Sequence, residues 1–120
     1  MKKAILYINQ FFAGIGGEDK ADHEPEIREG AVGPGLAYSK ELKDCIEITH
    51  TIICGDNFIG SNKDEALKRI MGFLKGKEFD FFFAGPAFRA GRYGVACGTV
   101  CKAVKEEFNI NILIMSIRLS

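Results

Sequence analysis

Tryptophan is absent from this 120-residue chain, and so is any net charge, since 16 Lys and Arg balance 16 Asp and Glu. A nucleic-acid binder usually carries a basic excess or stripe, and this sequence, with a pI near 6.7, shows neither. Long apolar runs are missing too, so no stretch is long enough to span a bilayer. The run Ala4 to Ile8 follows a basic Met1-Lys2-Lys3 but is too short for an export-signal core, and polar Asn9 and Gln10 interrupt it. The expectation is a cytoplasmic protein with no membrane partner. There is no internal repeat and no low-complexity tail.

The chain does have enough apolar residues for a core: 47% hydrophobic, with ten Phe supplying aromatic bulk. Its length suits one domain, residues 1–120, that can bury a core without staples. Four cysteines, Cys45, Cys54, Cys97 and Cys101, read as thiols rather than a disulfide frame in a cytoplasmic setting.

Four segments read as strands: Ala4 to Ile8, Ile46 to Cys54, Phe79 to Ala84, and Ile110 to Ile117. The first, third and fourth are near-continuous apolar runs, as expected of parallel strands covered on both faces. Between them lie helical patterns. Ser61 or Asn62 can cap a helix whose apolar positions Ala66, Leu67, Ile70, Met71, Phe73 and Leu74 recur at threes and fours, with Gly76 as a stop. A second helix is predicted from Gly91 or Arg92 to about Phe108, with Cys97, Cys101, Val104 and Phe108 on one stripe. A shorter one spans about Gly35 to Lys43. Alternating strands and helices linked by right-handed crossovers give an α/β three-layer sandwich. The predicted sheet is parallel, with four strands or slightly more, in the flavodoxin-like order 2-1-3-4. The two dozen residues from Phe11 to Pro34, with five Gly, two Pro and six acidic groups, are too long for an idle loop. They are predicted to fold over the strand ends as an ordered loop.

In open parallel sheets the ligand crevice lies beyond the carboxyl ends of the strands. That rule selects Asn9 and Gln10 with Gly14-Ile15-Gly16-Gly17 after the first strand, Cys54-Gly55-Asp56-Asn57 after the second, and Gly85 to Gly94 after the third. The last of these leads into a helix, so free backbone N–H groups and the positive end of the dipole would face the crevice. Arg89 and Arg92 add positive charge. Asn9, Gln10, Gly85, Pro86, Arg89, Gly91, Arg92, Tyr93 and Gly94 are therefore the candidate anion-binding residues. The glycines at 94 and 98 can equally serve close helix–sheet packing. Neither glycine loop is a phosphate P-loop or a dinucleotide fingerprint, because the defining residues are missing.

Cys54 sits at a strand end beside Asp56 and could be a reactive thiol, provided its pKa is lowered. His23, within an acidic stretch, is either a solvated residue paired with carboxylates or a proton-transfer group. Cys54, His23 and Asp56 are the catalytic candidates; His50 is predicted to be packed in its strand. Cys97 and Cys101 lie four apart on a helix, but a four-coordinate zinc needs two further ligands. They lie on an apolar stripe where cysteine acts as a small hydrophobe, so no metal is expected.

Several runs in the chain resemble the amino-terminal region of the selenoprotein B subunits of glycine, sarcosine and betaine reductases. They are Tyr7 to Phe12, Gly16-Gly17-Glu18, Lys20 to His23, Pro25 to Gly35, Ile52 to Asp56, Ala84 to Phe88 and Ala90 to Gly98. The D-proline reductase selenoprotein subunit is related. The resemblance extends to about Leu113. It implies an anaerobic amino-acid reductase in which a pyruvoyl-bearing partner subunit activates the substrate. A selenocysteine then releases the amine, and a dithiol supplies the electrons. No selenocysteine occurs in this sequence, and the family's selenocysteine region belongs to a part of the pattern that this chain lacks. The chain itself is expected to bind no cofactor.

Three functions stay open. The first is a component of such a reductase complex that contributes a carboxylate-binding crevice. The second is a truncated, non-catalytic paralogue acting as an interaction subunit, its last strand completed by another copy or a partner. The third is a flavodoxin-like small-ligand module, which rests on fold analogy alone.

Overall fold

A computed structural model of the chain describes residues 1–87 and 91–116. Five strands and four helices follow in the order β1 (Lys2–Ile8), β2 (Glu26–Glu29), α1 (Pro34–Leu42), β3 (Ile46–Ile53), α2 (Asp56–Ser61), α3 (Lys63–Leu74), β4 (Phe81–Ala87), α4 (Arg92–Phe108) and β5 (Asn111–Ser116), with a short 3-10 turn at Glu18–Lys20. The sheet order is β2-β3-β1-β4-β5. Parallel pairing joins β3 to β1, β1 to β4 and β4 to β5.

The four anticipated strands thus sit side by side in the anticipated order, but the sheet has a fifth strand and is mixed. The addition, β2, comes from the long segment read as a loop. It pairs antiparallel with β3, Glu26 opposite Ile53 and Glu29 opposite His50. Its four residues, Glu-Ile-Arg-Glu, are too short and too charged to give a strand signal. Charge of this kind suits an edge that must not recruit another strand. A further departure is α2, a turn and a half that starts on Asp56. Another is the length of β4, which runs on through Gly85 and Pro86 instead of ending at Ala84.

The apolar runs become strands because both faces are covered. Ala4 through Ile8 are fully buried. On one face Ile5, Tyr7, Ile52 and Phe82 pack against Ala66, Ile70 and Leu74 of α3 and against Cys97, Val100 and Val104 of α4. Ala66, Ile70 and Leu74 recur every fourth residue, which places them on one side of their helix. Full burial of a side chain the size of Ile70 or Leu74 contributes roughly 1.5–3 kcal/mol. On the other face Ala4, Leu6, Ile8, Ile48, Ile53 and Phe83 meet Tyr38 and Leu42 of α1 and Phe12, Ala13 and Ile15 of the segment after β1. Asn62 stands before α3 as foreseen, but its side chain donates back to the Phe58 carbonyl instead of capping the helix. No described helix is long and apolar enough to cross a membrane.

Candidate functional site

The carboxyl ends of β1, β3 and β4 converge on one buried polar nest. After Ile8 the chain turns sharply, with the Ala13 amide donating to the Asn9 carbonyl at 3.1 Å and the Ile15 amide to the Gln10 carbonyl at 3.0 Å. Asn9 is buried and bonded at both side-chain polar atoms. Its Oδ1 accepts from the Phe12 amide at 3.0 Å, and its Nδ2 donates to Oδ2 of Asp56, also at 3.0 Å. Gln10 Nε2 donates to the Gly17 carbonyl at 3.2 Å. The amides of both residues therefore shape the crevice, so direct contact with an anion would require these bonds to exchange.

The long segment after β1 is held against the end of β3 by backbone bonds. Gly55 N donates to the His23 carbonyl at 2.8 Å, and the amides of Asn57 and Phe58 both donate to Ala21 O, at 2.9 and 3.1 Å. The approach is so close that a Cβ on Gly55 would lie 2.1 Å from that oxygen. This closure buries Asp56 to 7% exposure at the start of α2. Burial pushes its carboxyl above the usual range; the Asn9 bond and the Arg92 charge pull the other way, and Glu18 adds to the rise.

Tyr7, Cys54, Asp56, Tyr93 and Cys97 lie close enough to alter one another's ionisation. Burial drives both phenols upward and both thiols to about 12, with Tyr7 partly offsetting the rise at Cys54 and Tyr93 that at Cys97. Among the described residues, Oδ1 of Asp56 and Oε1 of Gln10 are buried with no hydrogen-bond partner, and the buried hydroxyls of Tyr7 and Tyr93 lie near the thiols of Cys54 and Cys97 without a close bond. Buried polar groups are normally paired, so a cluster of them at strand ends is chemically suggestive. Asp56 also lines a cavity of about 550 Å³ together with Lys63, Gly91, Arg92 and Thr99. The 17-residue helix α4 begins at Arg92 there. Arg92 is half-exposed and pairs with Glu18.

Of the sequence-derived candidates, the fold brings Asn9, Asp56, Cys54, Arg92 and Tyr93 together. Gly91 lines the cavity with a φ of +96°, a conformation suited to glycine. Gly94 lies in the first turn of α4, and Gly85 and Pro86 stand at the end of β4. Arg89 falls outside the described residues. His23 faces β2, where its Nε2 lies 2.6 Å from Oε2 of Glu26. Burial raises Glu26, but its hydrogen bonds with Arg28 and His23 outweigh that and hold its pKa below the ordinary value. His50 is half-buried with Nδ1 2.9 Å from Thr49 Oγ1. Cys101 is buried on α4, its thiol also raised to about 12 by burial, and Cys45 is exposed. Among the described residues no three His, Cys, Asp or Glu side chains gather as a metal would require. Sequence reasoning passed over Tyr7, Lys63 and Thr99. A phenol in an otherwise aliphatic strand was the one available signal for Tyr7.

Residues 1–117 match the family model for glycine/sarcosine/betaine reductase selenoprotein B. The chain belongs to this family. It is 65% identical over 113 residues to the betaine reductase complex component B subunit beta of Peptoclostridium acidaminophilum, covering 94% of this chain and 26% of that protein. It is 56% identical to that organism's sarcosine reductase complex component B subunit beta, over 90% of this chain and 25% of the relative. Identity to the glycine reductase complex component B subunit gamma of Carboxydothermus hydrogenoformans is 47%, with the same coverage. The chain thus spans about a quarter of the length of these relatives. No solved structure matches it.

Proposed function

We propose that the chain is a component of a glycine/sarcosine/betaine reductase-type complex and contributes the crevice that holds a small zwitterionic carboxylate. The observation that carries this reading is Asp56. It is buried, its Oδ1 lacks a partner among the described residues, and it shares a cavity with Arg92 and the start of α4. A carboxylate is favoured at the helix N-terminus by the free amides and the dipole, and Arg92 would exchange Glu18 for it. The cationic end of the ligand would lie against Asp56. The reaction of such a complex cleaves the C–N bond and releases the amine while a dithiol donor is oxidised to a disulfide. Its nucleophile and activating carbonyl would come from other parts of the complex, the latter from a pyruvoyl-bearing partner. Within this chain Cys54 does not fit the nucleophile's role, because it is buried and its thiol is raised to about 12. That same observation favours a second reading, in which the chain binds ligand or partner and performs no chemistry.

The test is an amide NMR titration of the purified chain with glycine, sarcosine and betaine, using acetate and methylammonium as controls. Saturable shifts at Asp56 and at Gly91 to Gly94, stronger for the zwitterions than for either control, are expected. Unmoved amides across both segments with all three zwitterions would refute the crevice.

A further inference from the structure

The two edges of the sheet are built differently. The β2 edge is four residues long, three of them charged, and runs antiparallel to its neighbour. Short, charged strands of this kind resist pairing with other chains. The β5 edge is six residues, Asn-Ile-Leu-Ile-Met-Ser, without a charge. Among the described residues it pairs on one side only, in parallel with β4, with Leu113 beside Phe83 and Ile114 beside Ala84. Leu113 points to the α1 face and Ile114 to the α4 face, yet they are 49% and 44% exposed. A parallel strand that is apolar on both faces calls for cover on both faces, and an uncharged edge lacks the features that keep a free edge from pairing.

The α1 face is also unevenly covered. The helix α1 packs on β3, whereas α4 packs on β4 and β5 from the opposite side. Among the described residues no helix lies over β4 and β5 on the α1 face. There Phe81 and Met115 remain partly exposed beside the Phe81–Phe83 ring pair.

We infer that β5 is an interior strand of a larger sheet, and that this edge docks an α/β unit. The unit is an apolar strand beside β5 plus a helix over Phe81, Leu113 and Met115. The partner is the portion of a component B-type polypeptide that lies beyond the matched region; the relatives are about four times as long as that region. A second copy fits less well. Paired edge to edge it would supply a strand, but its own α1 lies over β3, three strands away from the junction, and would leave the apolar face bare.

The experiment co-expresses the tagged chain with the segment of the betaine reductase component B subunit beta that lies beyond the 113-residue match. Light scattering after gel filtration should give a 1:1 complex. Leu113→Lys should weaken that complex roughly 30-fold or more, as expected for a charge placed in a desolvated contact. Because Leu113 is half-exposed in the isolated chain, its thermal midpoint should hold, which separates lost docking from lost folding. A second readout does not depend on the segment folding alone. Hydrogen exchange of the β5 amides should be fast for the outward-facing ones in this chain and slow at the equivalent strand of the intact relative. A homodimer abolished by Leu113→Lys would place a second copy on the edge and overturn the proposal. So would a complex indifferent to the substitution, or equally fast exchange in the intact relative.

Discussion

The side-chain amide of Asn9 donates to Asp56 Oδ2 at 3.0 Å across 47 positions of sequence, while its oxygen holds the Phe12 amide at 3.0 Å. One residue thereby fixes the turn after β1 and the orientation of a buried carboxylate. Asn9→Ala removes both bonds and strands a buried acceptor and a donor, so a loss of about 2–4 kcal/mol is expected, read as a lower urea midpoint at unchanged slope. Asn9→Asp should be worse near neutral pH, because it sets a second carboxylate against Asp56.

Two carboxylates give opposite pH signatures. Asp56 has a raised pKa in the folded chain, so the folded state holds its proton over a range in which the unfolded state has released it. Stability from this group is full below the ordinary value and falls as pH rises through the folded one. Asp56→Asn should therefore stabilise the chain at pH 7, with the gain vanishing in acid. Glu26 is lowered, so its contribution is present above the ordinary value and lost as pH falls through the folded value. Glu26→Gln should cost stability at pH 7 and flatten the acid limb. Urea melts from pH 2.5 to 7 on both variants check the signs; a shared direction would contradict the assignment.

Thiol chemistry should divide the cysteines one against three. Cys45 is exposed, while Cys54, Cys97 and Cys101 are buried with thiols near 12. At pH 8, iodoacetamide should add one label per native chain, at Cys45, and three more only in denaturant. Native labelling of Cys54 as fast as Cys45, seen by mass spectrometry, would reopen its candidacy as a nucleophile.

Two glycines should respond in opposite directions. A methyl group on Gly55 meets Ala21 O at 2.1 Å and the His23 amide nitrogen at 2.6 Å, both backbone atoms that cannot swing aside. Gly55→Ala should destabilise by about 1–3 kcal/mol and detach the segment that buries Asp56. Gly98, within α4, has open space at the same position. Gly98→Ala should stabilise by roughly 0.5–1 kcal/mol through helix propensity.

Arg92 separates binding from stability. Its pair with Glu18 is half-exposed, and such pairs contribute about 0–1 kcal/mol. Arg92→Ala should leave the thermal midpoint nearly unchanged while the ligand-induced shifts at Gly91 to Gly94 fall about tenfold in affinity, one charge-assisted bond's worth. Full retention of those shifts would remove Arg92 from the site.

Local pattern determined where four of the strands lie and the helices starting near Pro34, Lys63 and Arg92, because apolar runs and fourfold spacing are local properties of the chain. The order of those four strands came from crossover handedness and fold analogy, which left out the antiparallel fifth. The strand-end rule points from sequence to Asn9, Asp56 and Arg92. What the sequence could not supply was the pairing of distant polar groups. The strand at Glu26 to Glu29 exists because β3 offers it a free edge, not because four charged residues favour extension. His23 leaves two readings open, a carboxylate-paired loop residue or a proton-transfer group, and only the pairing of β2 with β3 sets it beside Glu26. Cys54 is open to a reactive role on position alone, and its burial in the core, which drives the thiol upward, is a tertiary property. Local pattern sets which residues become elements. Burial, which depends on residues tens of positions away, decides which polar groups are left buried without a partner in the crevice and which edge of the sheet remains open.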